Sequence, residues 1–246
     1  MLNQIVILAG GKGTRMGNAD VPKVLVMLKN KPLILYLLEQ VEKINQLAKP
    51  IIVVGYKYRQ VMDVLGEDYL YAIQNQQLGT ADALRVALPK VKGENILVLY
   101  GDMPFIKAES LKKLIQKHFD TKANITMFTA KASPSIPENA TLFRFGRIKR
   151  DGLGKIIGSV EATDASFEDL KIDEVNPCIF MFNAKWLRNN IDKINNHNVQ
   201  GEFYLTDIVG LAATQGEQIE TLDINPNEVL GINSREDLVS AEKLLN

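Results

Sequence analysis

A short apolar run near the amino terminus leads directly into a glycine-rich, positively charged loop. Ile5–Leu8 has the composition of a buried strand, and three glycines follow it within Gly10–Gly13. Glycines let backbone N–H groups approach an anion without side chains in the way. Arg15 and Lys23 add fixed positive charge beside the loop, which suits a triphosphate. The sequence therefore predicts a nucleotide site at the carboxyl end of a first β-strand.

Two familiar phosphate-binding motifs are absent from the sequence. No GxxxxGKS or GxxxxGKT segment occurs, so the loop is not a P-loop. The loop also lacks the third glycine of a dinucleotide fingerprint. In addition, the second predicted strand ends at Val54-Gly55 without the acidic residue that would hold a ribose. The missing third glycine and the missing acidic residue exclude an NAD-binding oxidoreductase.

The first half of the chain alternates strand and helix patterns. Strands are predicted at Ile5–Leu8, Ile51–Val54, Ile96–Tyr100 and Ile125–Thr129. Helices are predicted at Leu33–Ile44, Asp82–Leu88 and Glu109–Phe119. Such alternation predicts an α/β fold with a Rossmann-like mixed, mostly parallel sheet and helices on both faces. Ligands of such sheets bind at the carboxyl ends of the strands.

The second half is less regular and predicts a smaller β-rich lobe packed against the first half. The predicted elements are a hairpin of Phe143–Arg150 and Lys155–Val160, a strand at Val175–Phe182, and helices at Ala184–Ile194, Phe203–Thr214 and Ser234–Leu245. Asn183 and Ser234 are the expected helix caps, and Pro134 and Pro137 mark a loop. We expect one domain, with a nucleotide-binding half over about 1–130, the lobe over about 131–233 and a last helix over 234–246.

Composition narrows the class of protein. The 29 basic and 29 acidic residues give no net charge, which argues against a nucleic-acid partner. Cys178 is the only cysteine, so an intramolecular disulfide is excluded. No signal peptide and no membrane-spanning apolar stretch is recognisable, and a cytoplasmic protein is expected.

Asp102 follows the apolar run Asn95–Tyr100, so its carboxylate should emerge at the same sheet edge as the glycine loop. An aspartate at this position suits a turn or a helix cap. It equally suits a Mg²⁺ ligand, because Mg²⁺ takes one or two protein oxygens and completes its shell with phosphate and water.

Four segments together resemble one known family. They are LAGGKGTRMG followed by PKVL, QNQQLGT at 74–80, LYGDMP at 99–104 and GEFYLTD at 201–207. The chain resembles sugar nucleotidyltransferases, and among them the uridyltransferase domain of bacterial bifunctional N-acetylglucosamine-1-phosphate uridyltransferase/acetyltransferases. The resemblance runs in the same motif order from about Ile5 to the carboxyl end. The family continues into hexapeptide repeats that are absent from this sequence, so no acetyltransferase is expected.

The resemblance implies that UTP and N-acetylglucosamine-1-phosphate react to form UDP-N-acetylglucosamine and pyrophosphate, with Mg²⁺ as cofactor. The implied catalytic residues are Arg15 and Lys23, and the implied metal ligands are Asp102 and Asn233. The implied nucleotide-binding residues are Leu8, Ala9, Gly10, Gly11, Gly13, Thr14, Gln74, Gly79, Thr80 and Tyr100. The implied sugar-binding residues are Gly146, Glu161, Asn176 and Thr206.

The sequence departs from the family at the sugar end. The family's Asn-Thr-Gly is replaced by Asn176-Pro177-Cys178, and a tyrosine by Phe145. Another sugar-1-phosphate therefore stays open as the substrate, while the segment 74–80 disfavours cytidylyl- and guanylyltransferases. A non-catalytic nucleotide-binding protein is disfavoured because the charged residues are intact. Cys178 and the two histidines receive no catalytic role, and the oligomeric state is open.

Overall fold

The computed structural model describes residues 3–16, 20–44, 48–133 and 137–245. Within these ranges the strands are β1 (Asn3–Ala9), β2 (Met27–Leu28), β3 (Lys31–Pro32), β4 (Ile51–Val54), β5 (Leu70–Ile73), β6 (Asn95–Tyr100), β7 (Ile125–Lys131), β8 (Gly146–Arg150), β9 (Ile156–Val160), β10 (Glu174–Asn176), β11 (Phe180–Asn183) and β12 (Ile219–Asp223). The α-helices are α1 (Leu33–Val41), α2 (Tyr58–Leu65), α3 (Thr80–Ala87), α4 (Ala108–Thr121), α5 (Ala184–Asn190), α6 (Asp207–Thr214) and α7 (Arg235–Leu244). Gly17, the last residue of the LAGGKGTRMG motif, and Pro134 of the predicted loop lie outside the described residues.

One mixed sheet forms the centre of the fold, in the order β5-β4-β1-β6-β11-β7-β10-β8-β9, with β12 beside β7. Strands β5, β4, β1 and β6 are parallel neighbours. Strand β11 lies antiparallel between β6 and β7, so β7 keeps the direction of β6, and β12 is parallel to β7. The predicted α/β class with a mixed, mostly parallel sheet is confirmed.

Helices cover both faces of the sheet because the side chains of a strand alternate between its faces. Ile5 and Ile7 of β1 lie in a core with Leu37 of α1 and Leu111 of α4. Val6 and Leu8 lie in a second core with residues of α3, α5 and α6. Each fully buried aliphatic side chain contributes roughly 1.5–3 kcal/mol. These two cores hold the strand ends, and therefore the loops that follow them, in fixed positions.

The prediction of one continuous strand over Val175–Phe182 is wrong. The segment divides into β10 and β11 because Pro177 has no N–H for a ladder bond. Cys178 then adopts a left-handed conformation with φ of 61°, and its N–H donates to Asn176 Oδ1 at 2.8 Å. The side chain of Asn176 thus closes a local turn where the ladder stops.

The predicted helix Phe203–Thr214 begins four residues late, at Asp207. Phe203 instead pairs through its backbone with the loop before α3: its N–H donates to Leu78 O at 2.8 Å, and its carbonyl accepts from Ala81 N–H at 2.9 Å. Tertiary hydrogen bonds therefore replace the first helical turn. The predicted helices starting at Leu33 and Ala184 are also shorter than expected, whereas α2, β5 and β12 were not anticipated.

Other local predictions are confirmed. The hairpin forms as β8 and β9 around Asp151, whose Oδ1 accepts from Leu153 N–H and Lys155 N–H at 2.9 Å each. Its first strand begins at Gly146, three residues later than predicted, because the 3₁₀ helix Pro137–Arg144 occupies the residues before it. Asn183 caps α5 by accepting from Trp186 N–H at 2.9 Å, and Ser234 heads a capping box at α7. In the described part of the chain, no helix is long and apolar enough to cross a membrane.

Candidate active site

The glycine loop packs against the loop after β4. Tyr56 N–H donates to Gly10 O at 3.1 Å, and a Cβ on Gly55 would lie only 2.7 Å from the same oxygen. On the other side, Gly101 N–H donates to Leu8 O at 3.0 Å. Neighbouring strand ends are therefore held at backbone contact distance, which gathers their loops at one sheet edge.

Lys23 reaches this edge because a glycine leaves room for it. Gly13 has a φ of +66°, and a Cβ there would lie 2.7 Å from Lys23 Cβ. Both the backbone conformation and the close approach demand glycine at this position. Lys23 opens the 3₁₀ helix Lys23–Leu25 directly after Pro22, and its long side chain extends towards the end of β6.

Three predicted site residues converge at this end. The Lys23 ammonium forms an ion pair with Asp102 Oδ2 and donates to Asn233 Oδ1. Asn233 is brought there by the backbone, since Ile232 N–H donates to Asp102 O at 3.0 Å. The Lys23 and Asp102 side chains are only 14% and 13% exposed. A carboxylate and an amide oxygen thus already face one positive charge, which is the arrangement that a cation with oxygen ligands needs.

Two cavities meet at this cluster. The glycine-side cavity, of about 470 Å³, is lined among others by Leu8, Ala9, Gly10, Gly11, Lys12, Gly13, Thr14, Lys23, Gln74 and Gly79. The lobe-side cavity, of about 580 Å³, is lined among others by Arg15, Phe143, Arg144, Phe145, Glu161, Pro177, Cys178 and Tyr204. Both cavities share Thr80, Tyr100, Asp102, Glu202 and Asn233. Two ligands bound side by side would therefore face each other at Asp102.

A third cavity, of about 630 Å³, lies at the opposite end of β6, beside Asn95, His118 and Asn183. It contains none of the predicted site residues. The glycine loop and the cluster of charges, and not cavity size, decide where the candidate site lies.

The predicted base-binding segment is tied down by hydrogen bonds. Gln74 is 5% exposed, and its Nε2 donates to Gly79 O at 3.1 Å and to Asp82 Oδ2 at 2.8 Å. Gly79 has a φ of +117°, and a Cβ there would lie 2.5 Å from Phe203 O. The Thr80 hydroxyl accepts from Leu205 N–H at 2.9 Å, which ties the start of α3 to the segment before α6.

The predicted sugar-binding residues are placed less uniformly. Glu161 lines the lobe-side cavity, and Thr206 Oγ1 donates to its Oε1 at 2.7 Å from a buried position. Burial raises the pKa of Glu161, and the hydrogen bond from Thr206 partly offsets that rise. Asn176 and Gly146 are buried cross-strand neighbours, and Asn176 Nδ2 donates to Ser159 Oγ at 3.2 Å. Of these four predicted residues, Glu161 is the one found on the cavity wall.

Arg15 and Tyr100 occupy different environments. Arg15 is exposed on the 3₁₀ helix Thr14–Met16, at the rim of the lobe-side cavity. Tyr100 lies between the two cavities, and its buried hydroxyl has no hydrogen-bond partner among the residues that the structure describes. Burial raises the pKa of Tyr100 and that of Cys178 well above their usual ranges, so both stay protonated at neutral pH.

Sequence reasoning missed two acidic residues of the site. Asp82 holds Gln74, and Glu202 lines both cavities. The helical pattern predicts Asp82 only as the start of a helix, and its carboxylate in the first turn beside the QNQQLGT segment is the signal that could have identified it. Glu202 lies within the GEFYLTD segment, where burial raises its pKa.

Comparison with known proteins identifies the family of this chain. The family model described as the MobA-like NTP transferase domain matches residues 5–194, which is most of the chain. The chain belongs to this family. The resemblance to sugar nucleotidyltransferases noted from the sequence is confirmed by relatives described as bifunctional protein GlmU.

One such relative, from Carboxydothermus hydrogenoformans, is 39% identical over 239 residues, covering 97% of this chain and 52% of that protein. Another, from Thermosipho melanesiensis, is 41% identical over 240 residues, covering 97% of this chain and 49% of that protein. The chain thus spans about half the length of the curated relatives it matches.

Solved structures agree on the fold. A UDP-glucose pyrophosphorylase complexed with UDP-glucose has a TM-score of 0.79 at 16% identity, covering 100% of this chain and 98% of that chain. A CMP:2-keto-3-deoxy-manno-octonic acid synthetase complexed with CTP has a TM-score of 0.71 at 17% identity, with the same coverage. The architecture of this family member is therefore that of nucleotide-sugar-forming transferases.

Proposed function

We propose that the protein is a UTP:N-acetylglucosamine-1-phosphate uridylyltransferase, which forms UDP-N-acetylglucosamine and pyrophosphate. The observation that carries this proposal is the convergence of Lys23, Asp102 and Asn233 where the glycine-side and lobe-side cavities meet. The choice of uridylyl transfer and of an amino-sugar substrate comes from the motifs that resemble the uridyltransferase domain of the bifunctional enzymes, and the matches to relatives described as bifunctional protein GlmU agree with that resemblance.

The chemistry requires no protein nucleophile. A phosphate oxygen of the sugar-1-phosphate attacks the α-phosphorus of UTP, and the bond from that phosphorus to the β-phosphate oxygen breaks to release pyrophosphate. Sugar phosphates are already deprotonated at neutral pH, so catalysis consists of positioning and of neutralising charge. Reactants bound in the two adjoining cavities would lie on opposite sides of the reacting phosphorus, which suits in-line displacement.

Charge neutralisation falls to the chain's own cations and amides. The glycine-loop residues and Lys23 line the glycine-side cavity, where the triphosphate would lie and where backbone N–H groups of the loop could bind it. Arg15 at the rim would contact phosphate oxygens from the lobe side. Pairing a mobile polyphosphate with fixed donors lowers the barrier because these donors need no reorganisation during the reaction.

Asp102 and Asn233 would hold Mg²⁺. Their two oxygens converge on the Lys23 ammonium, which shows that the pocket accommodates a cation. Among the described residues there is no cluster of three or more His, Cys, Asp or Glu side chains, and Mg²⁺ sites that use substrate phosphates need none. When bound, Mg²⁺ would supply additional neutralisation of phosphate charge.

The sugar end keeps a second candidate open. Glu161 would accept hydrogen bonds from sugar hydroxyls, but both polar atoms of the Asn176 amide are engaged, with Ser159 and with Cys178 N–H. The acyl-amino group of the sugar would therefore meet Pro177 and Cys178 at the wall of the cavity. This observation favours uridylyl transfer to another sugar-1-phosphate as the alternative function.

A pyrophosphate-release assay over a grid of nucleoside triphosphates and sugar-1-phosphates with Mg²⁺ tests the proposal. We expect the highest turnover with UTP and N-acetylglucosamine-1-phosphate. Highest turnover with UTP and a different sugar-1-phosphate would favour the alternative function, uridylyl transfer to that sugar-1-phosphate. Lack of turnover with UTP and every amino-sugar phosphate would contradict the proposal.

Two variants test the residue roles in the same assay. We expect Lys23→Ala and Asp102→Ala each to lower turnover by orders of magnitude, because each removes a charge from the reacting centre. Lys31→Ala serves as the control, since Lys31 pairs with the exposed Glu39 and neither residue lines either cavity. Near-normal turnover of either site variant in folded protein would contradict the role assigned to that residue.

A further inference from the structure

We propose that Asp82 is a positioning residue for base specificity: it fixes the side-chain amide of Gln74 so that a hydrogen-bond acceptor faces the nucleotide base. Selection of uracil over cytosine would follow from this orientation. The inference rests on the proposed function, because it assumes that a pyrimidine nucleotide occupies the glycine-side cavity.

The argument begins with the two hydrogens on Gln74 Nε2. One is donated to Gly79 O at 3.1 Å and the other to Asp82 Oδ2 at 2.8 Å. An amide nitrogen has no further hydrogen to give. Gln74 is 5% exposed, so water does not compete for these bonds. The nitrogen end of the amide is therefore fully used inside the protein.

The oxygen end of the amide lies beside the glycine loop. Gln74 Oε1 lies 3.1 Å from the position of a Cβ on Gly10, beside the glycine loop, and Gln74 lines the glycine-side cavity. Gln74 can therefore offer a ligand an acceptor but no donor. N3 of uracil carries a hydrogen and matches this acceptor. N3 of cytosine is itself an acceptor, so two lone pairs would face each other and both would stay unpaired.

Asp82 makes the opposite orientation costly. Rotating the amide by a half-turn would place Oε1 against a carboxylate, which has no hydrogen to donate. The bond to Asp82 is also charge-assisted and shorter than the bond to Gly79, so it contributes more to the orientation. Asp82 is held in turn by α3 and by Arg85, whose Nη1 lies 3.4 Å from Asp82 Oδ1.

The decisive quantity is the ratio of kcat/KM for UTP to kcat/KM for CTP. In Asp82→Ala we expect this ratio to fall by roughly tenfold or more, because the amide can rotate and present its NH₂ to cytosine N3. Asp82→Asn should restore most of the ratio, since its side-chain oxygen can still accept from Gln74. A merely structural role would lower both kcat/KM values equally and leave the ratio unchanged.

Asp192→Ala is the matched control, since it removes the other carboxylate partner of Arg85, at 2.7 Å, without touching Gln74. Its ratio should equal that of the wild type. Asp82→Ser, whose hydroxyl is too short to replace the carboxylate, is the second variant should Asp82→Ala not fold. For any folded but inactive variant, equilibrium binding of UTP and of CTP supplies the same ratio.

An unchanged ratio in Asp82→Ala or Asp82→Ser, with the wild type preferring UTP, overturns the inference and leaves the proposed function intact. A wild type that turns over neither nucleotide defeats the proposed function itself. The two failures are thus distinguishable.

Discussion

Lys23 occupies the position where a metal ion would be held, and this predicts competition between its ammonium and a divalent cation. Replacing Lys23 by methionine keeps the length of the side chain and removes the charge. The Asp102 carboxylate, only 13% exposed, then loses its counter-charge. In the absence of nucleotide, we expect the variant to be less stable without a divalent cation and to bind one more tightly than the wild type.

The magnitude follows from the partly buried ion pair. Two unit charges about 4 Å apart interact by about 4 kcal/mol at an effective dielectric constant of 20. Desolvation of both groups offsets part of this, which leaves about 1–3 kcal/mol for the Lys23–Asp102 pair. In the wild type a cation must displace the ammonium, so the variant should bind Mn²⁺ roughly 5–150-fold more tightly.

Thermal unfolding across a MnCl₂ titration, with free Mn²⁺ counted by electron paramagnetic resonance, measures both effects. Lys31→Met is the control: its pair with Glu39 is exposed, so we expect a stability change below about 1 kcal/mol and unaltered Mn²⁺ binding. Mn²⁺ affinity in Lys23→Met no higher than in the wild type would refute the reasoning. The gain should also vanish when Asp102→Asn is added.

Two further predictions concern stability. Burial lowers the pKa of His118 to about 4 in the folded protein, whereas a histidine in the unfolded chain has a pKa near 6.5. The neutral ring forms hydrogen bonds with Thr126 and Asn95. Stability from this histidine should therefore be fully present above about pH 6.5 and be lost, by up to about 3 kcal/mol, as pH falls towards 4. Urea unfolding between pH 4 and 7 should show the free energy of unfolding falling as the pH falls in the wild type and in the control His197→Gln. An equal pH dependence of the free energy of unfolding in His118→Gln would contradict this assignment. Separately, Cys178→Val should destabilise by at least about 1 kcal/mol, because a β-branched residue tolerates the φ of 61° poorly, whereas Cys178→Gly should be nearly neutral. Urea midpoints that are equal for the two Cys178 variants would count against that strain.

Local sequence patterns predicted the parts of the molecule that local rules determine. Short continuous apolar runs located β1 and β6, which are buried along almost their whole length, and the glycine loop with Lys23 pointed to the end of β6 where Asp102 lies. Asp102 could be placed there because parallel strands end together. Asn233, over a hundred residues away, entered only by resemblance, since its approach depends on the bond from Ile232 to Asp102.

Tertiary contacts decided what the sequence did not predict. The first turn of the expected helix at Phe203 was lost to backbone bonds with Leu78 and Ala81, which no helical periodicity reveals. The orientation of the Gln74 amide depends on two acceptors that must be seen in space. Amphipathic patterns record which face is buried, but not which long-range hydrogen bonds compete with a helix or strand.

The segment from Phe203 to Thr206 joins the two halves of the site through successive residues. The Phe203 N–H donates a hydrogen bond to Leu78 O in the loop before α3, and the Leu205 N–H donates to the Thr80 hydroxyl. The Thr206 hydroxyl donates to Glu161 on the lobe side. The spacing between the glycine-side cavity and the lobe-side cavity is therefore set by four residues of backbone and not by the packing of separate domains. The combined length of two ligands that fit side by side is in this sense encoded as a fixed stretch of covalent chain.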